Sequence, residues 1–194
     1  MKLARKAALY EGAAVIGALV AVMWLVEIVN KIDGQGLNGD GIHARSLSGL
    51  PGILSAPFLH AGFGHLIGNT VPFVVLGLVI AAAGARRVIE VTVVVVLVAG
   101  LGTWLVSPSH ISTIGASGVV FGYAGFLIAR GFFTRSFPAL AIGVVVAIVF
   151  GISLASDLVP KTGVSWQDHL FGALGGILAA RLVSGGRGTQ TILP

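Results

Sequence analysis

Four polar residues of this sequence have the chemistry and the placement expected of a catalytic site. Ser117 lies in the segment GASG, His169 in HLFGALGG, and His65 and Asn69 in HLIGN. A serine hydroxyl becomes an effective nucleophile when a base takes its proton, and histidine is the usual base. Ser117 and His169 therefore form a candidate catalytic dyad.

Acyl transfer also requires hydrogen-bond donors for the developing oxyanion. The backbone N–H of Ser117 lies near a predicted helix N-terminus, where amides lack partners and the helix dipole favours negative charge. His65 and Asn69 are four residues apart, so on a helix their side chains project in nearly the same direction. We predict that these two side chains stabilise the oxyanion, with Gly115 as a further stabilising residue.

No carboxylate is evident as the third member of a triad. Asp168 is adjacent to His169, but neighbouring residues on a helix point in different directions. Asp157 falls in a predicted loop. The sequence therefore predicts a dyad and not a triad.

The composition indicates that this chemistry takes place in a membrane. Hydrophobic residues make up 56% of the chain and charged residues 10%, against about 25% charged residues in soluble domains. The mean hydropathy is +0.99. The chain has no cysteine, which excludes thiol nucleophiles and cysteine-ligated metals. No H-E-x-x-H zinc motif appears, and we expect no metal or cofactor.

Six apolar stretches approach the length of about 20 residues that a transmembrane helix needs. The fold predicted is therefore an all-α bundle of six membrane-spanning helices in a single domain, 1–194. The first stretch is longer than the apolar core of a signal peptide, so we expect it to be retained. The predicted spans are 8–29, 64–84, 88–106, 114–129, 137–156 and 167–184.

The distribution of basic residues predicts the orientation of these spans. Nine of the twelve Lys and Arg residues fall on one side of the predicted membrane, and Lys31, Arg45 and Lys161 fall on the other. The positive-inside rule makes the first side cytoplasmic, with both termini inside. Because the basic residues are scattered, they predict topology and not a nucleic-acid interface. The nine are Lys2, Arg5, Lys6, Arg86, Arg87, Arg130, Arg135, Arg181 and Arg187.

With this topology the four polar residues converge, because spans 2, 4 and 6 all enter the membrane from the outside. Each polar residue then lies about one helical turn below the outer face, where polar side chains usually face the bundle interior. Small residues on spans 4 and 6 predict that these helices pack closely, which would bring Ser117 near His169. On a helical wheel Ser117 shares its face with Phe121. The small residues are Gly115, Gly118, Gly122 and Gly125 on span 4, and Gly172, Gly176 and Ala180 on span 6.

Each of these features also has a simpler interpretation. Ser117 could be a helix N-cap, the glycines could serve packing alone, and an intramembrane histidine could be structural or part of a proton relay. A transporter or channel is disfavoured, because the inner halves of spans 2, 4 and 6 are apolar. We expect His60 to be structural, with a role in ordering water near the site. Glu27, near the end of span 1, is expected to extend to the membrane surface.

Taken together, the segments HAGFGHLIGN, GASG and HLFGALGG resemble those of the rhomboid family of intramembrane serine proteases. The resemblance covers about residues 50–184. It implies a multi-pass protein of the cell membrane, with a single rhomboid-like domain that cleaves transmembrane segments of other proteins near the outer face, without a cofactor. An alternative is a catalytically silent rhomboid-like protein that binds transmembrane clients. In the family arrangement Ser117 is the nucleophile, His169 the base, and His65 and Asn69 the oxyanion donors. Phe121 stands where some members carry tyrosine, and we expect its ring to pack on His169.

Overall fold

The computed structural model describes residues 2–185, a bundle of long helices with a folded segment between the first two. The long helices are α1 (Lys2–Ile32), α3 (Phe63–Ala81), α4 (Ala85–Val106), α5 (Ser117–Thr134), α6 (Phe137–Asp157) and α7 (Trp166–Gly185). Each contains one of the six predicted spans, except that the second span runs three residues past the end of α3 and the fourth begins three residues before α5. Met1, Arg187 and the rest of 186–194 lie outside the described residues.

The composition of these helices is that of a helical membrane protein. Four of them, α1, α3, α4 and α5, are long and apolar enough to cross a membrane, and α6 contributes a shorter apolar stretch, Phe137–Ile152. Large apolar side chains on α6 point away from the bundle, with Ile148 72% exposed and Ile152 86% exposed. Exposed aliphatic side chains of this density are suited to lipid and not to water. The prediction of an all-α membrane protein is confirmed.

Helix α5 is the centre of the bundle and packs most closely against α7. Tyr123 and Phe126 on α5 are completely buried, and the Tyr123 hydroxyl lies 2.6 Å from Thr92 Oγ1 on α4. A methyl group added at Gly172 would collide with the Gly118 carbonyl oxygen. The two backbones are therefore in contact, which confirms the close packing predicted from the small residues.

The segment between α1 and α3 consists of short elements. It contains 3₁₀ turns at Gly36–Asp40, Leu47–Gly49 and Ala56–Phe58, a short strand β1 (Ile42–His43) and helix α2 (Gly52–Ser55). Strand β1 pairs antiparallel with β2 (Ser112–Thr113), with Ile42 opposite Thr113. Since β2 ends just before α5, this pairing attaches the segment to the start of that helix.

Two side chains also anchor this segment to the end of α4. Arg45 Nη1 donates to the carbonyl oxygens of Leu105, at 3.1 Å, and Ser107, at 2.8 Å. Trp104 Nε1 donates to the Ser46 carbonyl oxygen at 2.8 Å. The two Arg45 bonds satisfy carbonyl groups at the C-terminus of α4 that have no intrahelical donor.

The prediction that Glu27 extends to the membrane surface is wrong, because Glu27 is completely buried. Its carboxylate accepts hydrogen bonds from Gln35 Nε2 at 3.2 Å and Asn30 Nδ2 at 3.4 Å. Asn30 Nδ2 also lies 3.3 Å from the His60 carbonyl oxygen. A buried carboxylate is tolerated when hydrogen-bond donors surround it, and here they come from the end of α1 and the turn that follows.

Candidate active site

Ser117 is the first residue of α5 and is half-buried. The N-cap position belongs to Ala116, whose carbonyl oxygen accepts the first helical hydrogen bond, from Val120 N at 3.0 Å. The interpretation of Ser117 as the N-cap therefore does not hold. The Ser117 backbone N–H is one of the first amides of α5, which have no acceptor within the helix.

His169 lies in the first turn of α7 and is 5% exposed. Its ring atom Nδ1 lies 2.9 Å from the carbonyl oxygen of Asp157, the last residue of α6. A carbonyl oxygen only accepts, so Nδ1 carries the proton and donates it. In the neutral ring this leaves the Nε2 lone pair free to take a proton, as a general base requires.

An aromatic contact joins His169 to the helix that carries Ser117. The Phe121 and His169 rings are stacked, with centroids 4.2 Å apart and planes at 5°. Phe121 lies four residues after Ser117, so both project from the same face of α5. The face of α5 that carries the serine is thus the face that meets the imidazole. Among residues 2–185, no hydrogen bond joins the Ser117 hydroxyl to His169.

His65 and Asn69 on α3 lie beside Gly115, two residues before Ser117. His65 Nδ1 accepts a hydrogen bond from the Ala61 amide at 3.3 Å, so in the neutral ring Nε2 carries the proton. A methyl group added at Gly115 would lie 2.8 Å from His65 Nε2 and 3.4 Å from Asn69 Nδ2. Two N–H donors therefore approach the start of α5 from α3.

The backbone at Gly115 is adapted to this approach. Its φ of +119° is a conformation that residues with a side chain rarely adopt. Its amide donates to the Ala56 carbonyl oxygen at 2.8 Å. Gly115 therefore leaves space for His65 and Asn69, while its own N–H is already engaged.

His60 packs behind His65 and is completely buried. The two imidazoles meet edge to face, with centroids 5.0 Å apart. Burial, with a smaller contribution from the nearby His65 charge, lowers the pKa of His60 to about 4. A neutral His60 therefore supports the His65 ring from behind.

Comparison with known proteins identifies the family. A family model described as "Rhomboid domain" matches residues 48–186. The chain belongs to the rhomboid family. It is 39% identical over 181 residues to an uncharacterized protein of Mycobacterium tuberculosis and to one of Mycobacterium bovis, covering 89% of this chain and 75% of each relative. An uncharacterized protein of Mycobacterium leprae is 38% identical over 181 residues, covering 89% of this chain and 72% of the relative.

In this rhomboid the predicted site residues occupy one end of the bundle. Ser117, with Phe121 on the same face, extends from α5, His169 from α7, and His65 and Asn69 from α3. Gly172 and Gly176 allow α7 to lie against α5, since a side chain at Gly176 would collide with the Gly122 carbonyl oxygen. No group of three His, Asp or Glu side chains suited to a metal ion occurs among the described residues.

One contact of this rhomboid's site carries no signal in the sequence. The Asp157 carbonyl oxygen orients His169, but every residue has a carbonyl, so residue type gives no indication of it. The Asp157 side chain instead forms an ion pair with Lys161, with Oδ1 and Nζ 2.8 Å apart. This pair spans one turn and holds the chain just after α6, next to the carbonyl that His169 uses.

Proposed function

We propose that this rhomboid is an intramembrane serine endopeptidase that cleaves transmembrane segments of other proteins. Ser117 is the nucleophile and His169 is the general base. His65, Asn69 and the Ser117 backbone amide stabilise the oxyanion. The first step forms an acyl-enzyme on Ser117, and water then releases the second product.

The observation that carries this proposal is that the buried Asn69 side chain has an unpaired hydrogen-bond donor. Its side chain is 7% exposed, and its Nδ2 group has no hydrogen-bond partner in the described residues. An unpaired buried donor costs about 1–3 kcal/mol, so its retention needs a reason. An oxyanion beside Gly115 would accept this hydrogen bond, together with one from His65 Nε2, and would supply that reason.

The reaction follows from the orientation of His169. As Ser117 Oγ attacks the scissile carbonyl carbon, its proton passes to His169 Nε2, while Nδ1–H stays bonded to the Asp157 carbonyl. The imidazolium then gives the proton to the leaving amine, and the peptide C–N bond breaks. In the second step Nε2 takes a proton from water and the hydroxide attacks the acyl carbon. The ester bond between that carbon and Ser117 Oγ then breaks, the proton returns from Nε2 to Oγ, and the second product leaves with a new carboxyl group.

The proposal includes the topology predicted from the charges. All six long helices cross the cell membrane, both termini are cytoplasmic, and the site opens near the outer face. The described basic residues Arg86 and Arg87 at the start of α4 lie at the opposite end of the bundle from Ser117, His65 and His169, as the positive-inside rule requires. The substrates are single transmembrane segments within the same bilayer.

Cleavage of a model transmembrane substrate in proteoliposomes tests the proposal. We expect the purified protein to cut the substrate, and the Ser117→Ala and His169→Ala variants to fail. A fluorophosphonate probe should label the wild-type protein but not Ser117→Ala. Binding of the substrate without cleavage or labelling would instead favour the non-catalytic client-binding alternative. Cleavage by both variants at the wild-type rate would refute the assignment of the dyad.

A further inference from the structure

Asp168, next to the proposed base, contacts both α4 and α5. It is 7% exposed and lies on α7 opposite the first turn of α5. Its two carboxylate oxygens lie against Gly118, the second residue of α5, where backbone amides have no acceptor within the helix. Thr103 Oγ1 on α4 donates to Asp168 Oδ1 at 3.4 Å. One buried carboxylate therefore connects three helices at the level of Ser117.

An acidic residue in the first turn of a helix usually forms a hydrogen bond within its own helix, and Asp168 does not follow this pattern. Ser165 precedes α7, and its Oγ accepts a hydrogen bond from the Asp168 amide at 3.4 Å. In the capping-box pattern, an acidic side chain three residues after such a serine bonds back to the N-terminus of its own helix. Among the described residues, the Asp168 carboxylate has no hydrogen bond to Ser165. It turns to the N-terminus of α5 instead.

The first turn of α5 is shaped to receive this carboxylate. A methyl group added at Gly118 would collide with both carboxylate oxygens of Asp168. A small cavity of about 10 Å³ adjoins the carboxylate. The N-terminal dipole of α5 adds a favourable interaction with the negative carboxylate.

We propose that Asp168 is a positioning residue that caps α5 from α7 and so fixes Ser117 relative to His169. This inference rests on the proposed function, because it gives Asp168 no chemistry of its own. By taking the Gly118 amide, the carboxylate leaves the neighbouring Ser117 amide as the donor for the oxyanion. Since His169 follows Asp168 directly, one turn of α7 both holds the nucleophile's helix and carries the base.

The test compares Asp168→Ala and Asp168→Asn with the wild-type protein. The asparagine side chain keeps a carbonyl oxygen that can accept from the Gly118 amide, whereas alanine has no acceptor. We expect Asp168→Ala to lower kcat and the rate of fluorophosphonate labelling by roughly 10–10²-fold, with KM within about twofold, because a misplaced nucleophile costs rate and not binding. Asp168→Asn should stay within about threefold of wild type, since its acceptor is retained.

Thr103→Val is the matched control, because it removes the hydroxyl donor but leaves the Gly118 contact. Its labelling rate should stay within about threefold of wild type. Wild-type labelling rates in Asp168→Ala would overturn the inference. A folded Asp168→Asn protein with a labelling rate more than tenfold below wild type would also overturn the inference. If Asp168→Ala does not fold, the labelling rate of Asp168→Asn decides the test. Failure of the proposed function would give a different result. In that case the fluorophosphonate probe would not label the wild-type protein, or it would also label Ser117→Ala.

Discussion

The imidazole of His169 lies flat against the ring of Phe121, with centroids 4.2 Å apart and planes at 5°. On its Nδ1 edge the same imidazole is held by the Asp157 carbonyl oxygen at 2.9 Å. A ring fixed at one face and one edge has little freedom to rotate. The Nε2 lone pair therefore has a defined direction in the described structure, as the proposed role of His169 as general base requires.

Replacing Phe121 by leucine should lower kcat more than it changes KM. The stacked face of the imidazole would be lost, while the Asp157 hydrogen bond and the oxyanion donors would remain. We expect kcat to fall on the order of 10–10²-fold, the range seen when a reacting group is slightly misplaced. Phe121→Tyr is the matched control, because it keeps a planar ring, and it should retain most of the activity. Equal losses in both variants would contradict a role for stacking.

Replacing Asn69 by alanine should lower the activity but leave the stability nearly unchanged. The Nδ2 donor has no partner in the described residues, so its removal breaks no bond in the resting protein, while the oxyanion loses a donor. We expect kcat to fall on the order of 10²–10³-fold, with little change in the thermal unfolding temperature in detergent.

Asn30→Ala is the contrasting variant for this experiment. Asn30 is also buried, but its Nδ2 group donates to Asn38 Oδ1 at 2.9 Å and lies 3.3 Å from the His60 carbonyl oxygen. Its loss leaves acceptors unpaired and should lower the unfolding temperature. An Asn69→Ala protein that unfolds as readily as Asn30→Ala would indicate that Asn69 is structural.

Replacing Gly115 by alanine should abolish cleavage. The new methyl group would lie 2.8 Å from His65 Nε2, and the φ of +119° would strain the backbone. Gly68→Ala is the control on α3, because nothing lies within 4 Å of the added methyl group there. Cleavage assays should find Gly68→Ala close to wild type. Normal cleavage by Gly115→Ala would refute the packing of His65 and Asn69 against this residue.

The helices and the contact between α5 and α7 could be predicted because each leaves a repeated signal. Apolar runs near the required length mark the helices, and small residues three and four apart mark the face where α5 meets α7. The pairing of His65 with Asn69 follows from their four-residue spacing on a helix. These features are local in sequence, so one chain is enough to reveal them.

The remaining features depend on contacts between distant residues. Strand β1 has two residues, too few for a periodic pattern, and its partner β2 lies about 70 residues later. Glu27 is buried because Gln35 and Asn30 surround it, and the position of Gln35 depends on the turn after α1. The orientation of Asp168 towards Gly118 depends on where α7 lies against α5. Sequence spacing within one helix carries none of this information.

The buried His60 should make stability depend on pH. In the folded protein the pKa of His60 is lowered to about 4, whereas in an unfolded chain it is about 6.5. The folded state thus binds fewer protons between these values. The contribution of neutral, buried His60 to the free energy of unfolding is fully present above about pH 6.5 and is lost as the pH falls towards 4.

Thermal unfolding in detergent between pH 4.5 and 7.5 measures this effect. The difference in unfolding temperature between wild type and His60→Gln should shrink as the pH falls, because only the wild type has the histidine to protonate. His110→Gln, at an exposed position, controls for the removal of a histidine as such. A constant difference between wild type and His60→Gln across this range would contradict a neutral, buried His60.

Replacing Gly176 by alanine should destabilise the bundle, because α5 leaves no room for a methyl group. The added carbon would collide with the Gly122 carbonyl oxygen and lie 2.7 Å from the Phe126 amide nitrogen. Both are backbone atoms, so the two helices must separate, and overpacking of this kind costs about 1–3 kcal/mol. Gly151→Ala on α6 is the matched control, since nothing lies within 4 Å of its added methyl group and alanine favours a helix. Unfolding in detergent should therefore rank Gly176→Ala below wild type and Gly151→Ala at or above it, and the reverse order would contradict direct backbone contact between α5 and α7.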